Sequence, residues 1–353
     1  MRRRGAALLT VLLLVAVMAG LAVAVLDDTR FALRRTGVAQ EIRQARWYAV
    51  GAEALARSRI VQLQQLDPNR TTLVGDWEGR RFRFPIEGGA IEATVFDAGN
   101  CFNLNSLAPG AVPQLGADDE QNDRGEDEDA QDQPGDEAAA AAEAAAPAQL
   151  SRRQFETLLR ALGISGRDAS ELAGALADWV DADQQLTTLG AEDEFYTRLQ
   201  APYRTGDALL AERSELRAVR GFTQEVYVRL RPHVCALPTP SPTRLNVNTL
   251  RPEDAVLLVA LAEGRINLAQ AAEVIEDRPP AGWAAIQDFW AHPSLSASAP
   301  SPLVFEQTAL STEYFGVEAR VVFGRADVVL SALLQAGRAG RPRLLTRRWT
   351  ADE

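Results

Sequence analysis

Hydrophobic positions along the chain fall into three regimes. From Ala6 to Leu26 no charged residue occurs, and about twenty residues rising 1.5 Å each cross a hydrocarbon core of about 30 Å. This stretch is predicted to span a membrane. Arg2, Arg3 and Arg4 precede it, which places the amino terminus in the cytoplasm and the remaining chain beyond the membrane. A cleaved secretory signal would end in a small-x-small site, and Ala22-Val23-Ala24 offers one. The helical pattern nevertheless runs on through Phe31, Val38, Ile42, Ala45, Trp47, Leu55, Ile60 and Leu63 to Asp67-Pro68-Asn69, where proline forbids further helix. One helix over 6–66 is expected, apolar all round in its first third and one-sided afterwards.

The period then changes to two. Phe82, Phe84 and Ile86, followed by Ile91, Ala93 and Val95, alternate with polar residues about Glu87-Gly88-Gly89, which predicts a hairpin over 80–97. Residues 314–323, 326–335 and 343–350 are again strand-like, with turns at Gly324-Arg325 and over 337–342. Between these two sets of strands the pattern is helical. The expected fold class is α+β: a long amino-terminal helix, transmembrane then amphipathic, packed on an antiparallel sheet, with a large all-α insertion between the second and third strands. The sheet is expected from 67–100 and 301–353, and the insertion from 101–300.

The insertion repeats itself. Phe102-Asn103-Leu104-Asn105-Ser106-Leu107 and Leu245-Asn246-Val247-Asn248-Thr249-Leu250 share one alternation of apolar residue and Asn. Each is followed by a helical pair, the second helices expected over 167–180 and 268–277. This pattern predicts tandem helix-hairpin-helix units of the sterile-alpha-motif-like kind. Residues 118–137 are dense in Asp and Glu and 138–147 are alanine-rich; the whole of 118–147 is expected to be a disordered loop. An acidic cation sponge or partner-binding arm is the other reading.

With 353 residues and a net charge of −11, the chain suits two domains and no nucleic-acid partner. Hairpin units of this kind can hold a DNA backbone, making a membrane-anchored DNA receptor the alternative function. However, the turns Gly163-Ile164-Ser165-Gly166 and Glu263-Gly264-Arg265-Ile266-Asn267 bring little clustered positive charge. Two cysteines, Cys101 and Cys235, are an even count in an exported chain whose surroundings are oxidising, so a disulfide between them is expected; two buried thiols are the other reading. The acidic stretch Asp178-Trp179-Val180-Asp181-Ala182-Asp183, with Leu189-Gly190-Ala191-Glu192-Asp193-Glu194 after it, can bring Asp181, Asp183, Glu192 and Asp193 together if 184–189 forms a loop. Oxygen-only ligands suit calcium, which takes six to eight of them; a solvated acidic loop is the plain reading. The two histidines, His233 and His292, stand beside prolines and are expected to be solvated loop residues. No nucleophile–base arrangement or phosphate loop can be placed, so catalysis is not expected.

The segment Arg2-Arg3-Arg4-Gly5-Ala6-Ala7-Leu8-Leu9-Thr10-Val11 resembles the leader of type IV pilins and pseudopilins. The resemblance implies that a prepilin peptidase cuts between Gly5 and Ala6, leaving 1–5 as leader, and methylates Ala6. Most members carry Glu at the fifth residue after the cut, where this chain has Thr10. That departure, the large helical insertion, the Trp-x-Asp-x-Asp segment and the Gly-Ala-Glu-Asp segment resemble the minor pseudopilin family called protein K of type II secretion. For this chain the resemblance implies an inner-membrane anchor with a periplasmic domain, calcium in the region of Asp181, Asp183, Glu192 and Asp193, other minor pseudopilins as partners, and a place at the pseudopilus tip, initiating or capping assembly. An intramembrane carboxylate is costly unless paired, so a subunit with no neighbour above it can dispense with that Glu.

Overall fold

The computed structural model describes residues 2–108, 134–296, 298–337 and 341–350. Helix α1 runs unbroken over Arg2–Leu66, so the Gly5–Ala6 bond lies within it. From Val11 to Thr36 its side chains are exposed on every side. Beyond that it lies across a five-stranded antiparallel sheet. The face it buries consists of Ala45, Ala49, Ala52, Ala56, Ile60 and Leu63, spaced three and four apart as one side of a helix requires. The small side chains let the helix sit close to the strands. The larger residues expected to mark that face do otherwise: Trp47 is 72% exposed and Leu55 59%. Both point away from the sheet.

The sheet order is β1 (Arg81–Ile86), β2 (Gly89–Asp97), β7 (Tyr314–Phe323), β8 (Ala326–Gln335) and β9 (Arg343–Arg348). Between β2 and β7 come four two-residue strands: β3 (Phe102–Asn103), β4 (Val234–Cys235), β5 (Leu245–Asn246) and β6 (Thr308–Ala309). The β1–β2 turn is Glu87-Gly88, with Gly88 at φ 82°, a conformation glycine adopts freely. Inward-facing Ile91, Val95, Val317, Val321, Leu330 and Leu334 meet the alanine face of α1 to form one core. Glu53 on α1 is buried, receiving Arg347 of β9 at 2.6 and 3.1 Å and Arg57 at 2.5 Å. That charge is paired, as burial demands.

Strands β2 and β7 are hydrogen-bonded neighbours, and 98–313 is inserted between them as a helical head with its own core. The head contains α2 (Pro134–Ala161), α3 (Gly166–Val180), α4 (Asp193–Tyr196), α5 (Gln224–Leu230), α6 (Ala255–Leu261), α7 (Leu268–Glu276), α8 (Ile286–Trp290) and α9 (Pro302–Glu306). Of the span expected to be disordered, 118–133 lies outside the described residues, whereas 134–147 belongs to α2. The correction has a simple cause: alanine is the strongest helix former, and a run of it continues a helix rather than interrupting one.

Both Asn-x-Asn segments perform the same work. Asn103 Oδ1 accepts from the Asn105 and Leu237 amides, and Asn246 Oδ1 accepts from the Asn248 amide. β3 pairs with β4, and β5 with β6, each in parallel. Cys101 and Cys235 are joined by a disulfide, with Cα atoms 5.8 Å apart, at the β3–β4 pair. Two similar units therefore each open and close on a short parallel ladder.

Candidate metal centre

Ser165 caps α3, accepting from the Asp168 amide. The buried side of α3 carries Leu172, Leu176 and Val180 into the head core. The same helix ends on Asp178 and on Asp181, its carboxyl-terminal cap. The chain beyond it doubles back over the helix, and two glycines make that possible. A Cβ on Gly174 would lie 2.9 Å from the Thr188 carbonyl, and one on Gly190 2.0 Å from Asp178 Oδ2. Between them the Thr187 amide donates to Asp178 Oδ1 at 3.2 Å, and Leu189 takes φ 68°, a strained value for a leucine. Arg220 secures the loop from outside through the Gly190 carbonyl at 3.1 Å, and Arg152 through Thr188 at 2.8 Å.

This fold-back delivers Glu192 to the end of α3. Carboxylate oxygens of Asp178, Asp181 and Glu192 lie within 4.8 Å of one another, and all three residues are buried. Asp181 Oδ1, both Glu192 oxygens and Thr187 Oγ1 are buried without a hydrogen-bond partner. Burial, then the neighbouring carboxylates of Asp183 and Asp178, pushes the Asp181 carboxyl up to about 7. Glu192 is likewise pushed up to about 7, by burial and then by Asp178, Asp181, Asp207 and Asp183. Three mutually repelling carboxylates without a facing cation are costly. The donor set is wholly hard oxygen and four of its atoms lack partners, which fits a divalent cation of the calcium type.

The four carboxylates singled out in the sequence divide. Asp181 and Glu192 are in the centre. Asp183 is exposed, its carboxylate accepting from the Gln185 amide at 2.7 Å, and it acts on the centre through its charge and its backbone amide. Asp193 is turned away: its Oδ1 accepts from the amide and hydroxyl of Thr205, both at 2.9 Å. The Thr205 amide and, further off, Arg204 keep its carboxyl below the usual range. Asp178 and Asp207 were missed. Asp178 stands one helical turn before Asp181, a spacing that could have identified it; Asp207, 26 residues beyond Asp181 in sequence, carried no such signal.

The histidines are less solvated than expected. His292 Nδ1 accepts from the Ser294 amide, its Nε2 meets Asp277 at 3.2 Å, and its ring packs on Trp283. The Ser294 hydroxyl is directed to Glu273 instead, so the trio is a helix cap rather than a nucleophile and base. His233 is half-buried, and burial lowers its affinity for a proton. At the second hairpin turn Glu263 engages both Arg153 and Arg265, withdrawing the cations that a phosphate backbone would need.

Two family models match the chain, both described as type II secretion system (T2SS), protein K, over residues 100–239 and 245–313. A type II secretion system protein K of Klebsiella pneumoniae is 36% identical, covering 100% of this chain and 99% of that protein. One from Aeromonas hydrophila is 37% identical over 80% of this chain and 78% of its own length. A solved structure, the GspK-GspI-GspJ complex from the enterotoxigenic Escherichia coli type 2 secretion system, contains a chain 26% identical with a TM-score of 0.69, covering 90% of this chain and 99% of that one. The DNA-receptor alternative finds no support in these relatives. Split sheet, inserted helical head and kinship over the whole of this chain agree, and the chain belongs to the protein K family of minor pseudopilins of type II secretion.

Proposed function

We propose that this minor pseudopilin occupies the tip of the pseudopilus, where it initiates or caps assembly and takes part in export as a structural subunit rather than as an enzyme. The observation that carries the reading is the position of the head. About two hundred residues leave and re-enter the sheet between adjacent strands β2 and β7, adding bulk beside a stem that ends at Leu66. A further subunit stacked on that end would meet the head. The relative whose complex with GspI and GspJ is solved supports other minor pseudopilins as partners.

In this reading α1 crosses the inner membrane once, the remainder lies in the periplasm, and prepilin peptidase cuts at Gly5–Ala6 and methylates Ala6. The exposed apolar run from Val11 onward supports the anchor. The paired helices α2–α3 and α6–α7, each following an Asn-x-Asn turn, are tandem helix-hairpin-helix units of the sterile-alpha-motif-like type. Asp178, Asp181 and Glu192, with Thr187 Oγ1, would hold a calcium ion, which supplies the positive charge that the loop over 182–192 otherwise lacks.

The test is co-purification of the detergent-solubilised full chain with its sister minor pseudopilins, coupled to gold labelling of assembled filaments. One label per filament end is expected. Labels distributed along the shaft, or no association with any sister subunit, would refute the tip assignment.

A further inference from the structure

Where the chain leaves the sheet for the head, Asp97 is buried at the end of β2. Its Oδ2 accepts from the hydroxyls of Thr249, at 2.6 Å, and Thr312, and its Oδ1 accepts from the Gly99 amide at 2.9 Å. Thr249 belongs to the second Asn-x-Asn turn and Thr312 to the segment returning to β7, so one carboxylate ties the sheet to both. The side-chain amides of Asn100 and Asn246 donate to the same two hydroxyls, which directs both hydroxyl protons at Asp97. That geometry suits an acceptor-only, ionised carboxylate.

A second carboxylate stands against it. Glu78 Oε2 accepts from the Asp97 amide at 2.8 Å. Asp254, also buried, and Arg251 face Glu78 from the start of the second helical unit. Arg251 is half-exposed and already lies 3.4 Å from Glu253 and 3.5 Å from Asp254. One shared guanidinium therefore serves several acidic groups at this joint. Burial, then the Asp97 charge, pushes the Glu78 carboxyl up to about 7.

We propose that the Glu78–Asp97 pair is a proton-operated joint between sheet and head. While the pair holds a proton the head is locked onto the end of β2; when it is lost, buried Asp97 and partly buried Glu78 repel each other as two carboxylates and the joint loosens. This goes beyond the tip assignment and does not depend on it. It is also separate from the metal centre, which lies in the other helical unit.

The experiment is amide exchange on the detergent-solubilised full chain at saturating calcium, from pH 5.5 to 8.5, with rates corrected for the intrinsic pH dependence. In the wild type, amides over 246–250 should exchange about thirtyfold faster at the alkaline end, as follows from the linkage of a carboxyl pushed up to about 7 across this pH window. Glu78→Gln, which keeps an acceptor for the Asp97 amide, should be slow throughout. Arg251→Gln removes the cation favouring ionised Glu78 and should move the step to higher pH. A flat wild-type profile overturns the proposal, as does a step retained by Glu78→Gln. If Glu78→Gln fails to fold, an unmoved step in Arg251→Gln overturns it instead.

Discussion

Asn105 and Asn248 hold the two helical units closed by the same device. Asn105 accepts from the Leu210 amide at 2.7 Å and donates to the Leu210 carbonyl at 3.0 Å. Asn248 accepts from the Trp283 amide at 2.6 Å and donates to the Trp283 carbonyl at 3.2 Å. Each side-chain amide stands in for a strand of backbone. Asn105→Ala would leave the buried Leu210 amide and carbonyl unpaired and should cost about 2–6 kcal/mol, from about 1–3 kcal/mol per orphaned group. Asn248→Ala should cost less, since Trp283 is only partly buried. Thermal unfolding of the two variants checks the order.

Calcium should matter most at neutral and alkaline pH. With folded-state carboxyls near 7 for Asp181 and Glu192, the metal-free protein binds more protons folded than unfolded between about pH 4 and 7. Its stability from these groups is therefore greatest at low pH and is lost as pH rises through 7. Calcium should reverse that slope, adding about 2.7 kcal/mol at a hundredfold excess over its Kd. Melting curves with calcium or chelator at pH 5.5 and 7.5 read the effect; Asp181→Asn with Glu192→Gln should abolish it.

Arg347→Ala should destabilise the seat of α1 on β9 by about 2 kcal/mol, the order of a charged hydrogen bond whose buried partner is left behind. Burial raises the Glu53 carboxyl, but the hydrogen bonds from Arg347 and Arg57 outweigh it and the net displacement is downward. Their contribution is present above the ordinary Glu range and lost as pH falls through the lowered value. Arg347→Ala should accordingly flatten acid unfolding, monitored by circular dichroism between pH 2 and 6.

The stem should separate stability from assembly. Ala52→Leu forces bulk into the buried helix–sheet contact and should cost about 1–3 kcal/mol. Trp47→Ala, on an exposed side chain, should change stability by less than about 0.5 kcal/mol while weakening co-purification with sister pseudopilins. Intact co-purification of Trp47→Ala would place the partner surface elsewhere.

Reducing the Cys101–Cys235 bond, or replacing both cysteines by serine, should cost about 2–5 kcal/mol. Guanidinium unfolding with and without reductant measures it.

Much of this architecture is legible in the residues because it depends on local pattern. The charge-free run, the proline at 68, the Glu-Gly-Gly turn and the repeated Asn-x-Asn segments each dictate their own conformation. What is not legible depends on shape or on distance. The sheet-facing side of α1 is made of alanines, and a reading that looks for large apolar residues selects Trp47 and Leu55, which face away. The alanine-rich run over 138–147 looks like low complexity by composition and is helical by propensity. At the metal centre the loop places Glu192 inward and its neighbour Asp193 outward, a distinction set by Thr205, twelve residues further on, which no local spacing encodes.

The register that pairs Asp97 with Phe315 has an evolutionary corollary. The two cut ends of the guest are side by side, so a tight turn could replace everything from Ala98 to Glu313 and leave every rung of the platform in place. Lineages can thus enlarge, trade or discard the cargo on this platform without renegotiating how it anchors, and diversification among these subunits is free to concentrate in what is mounted there.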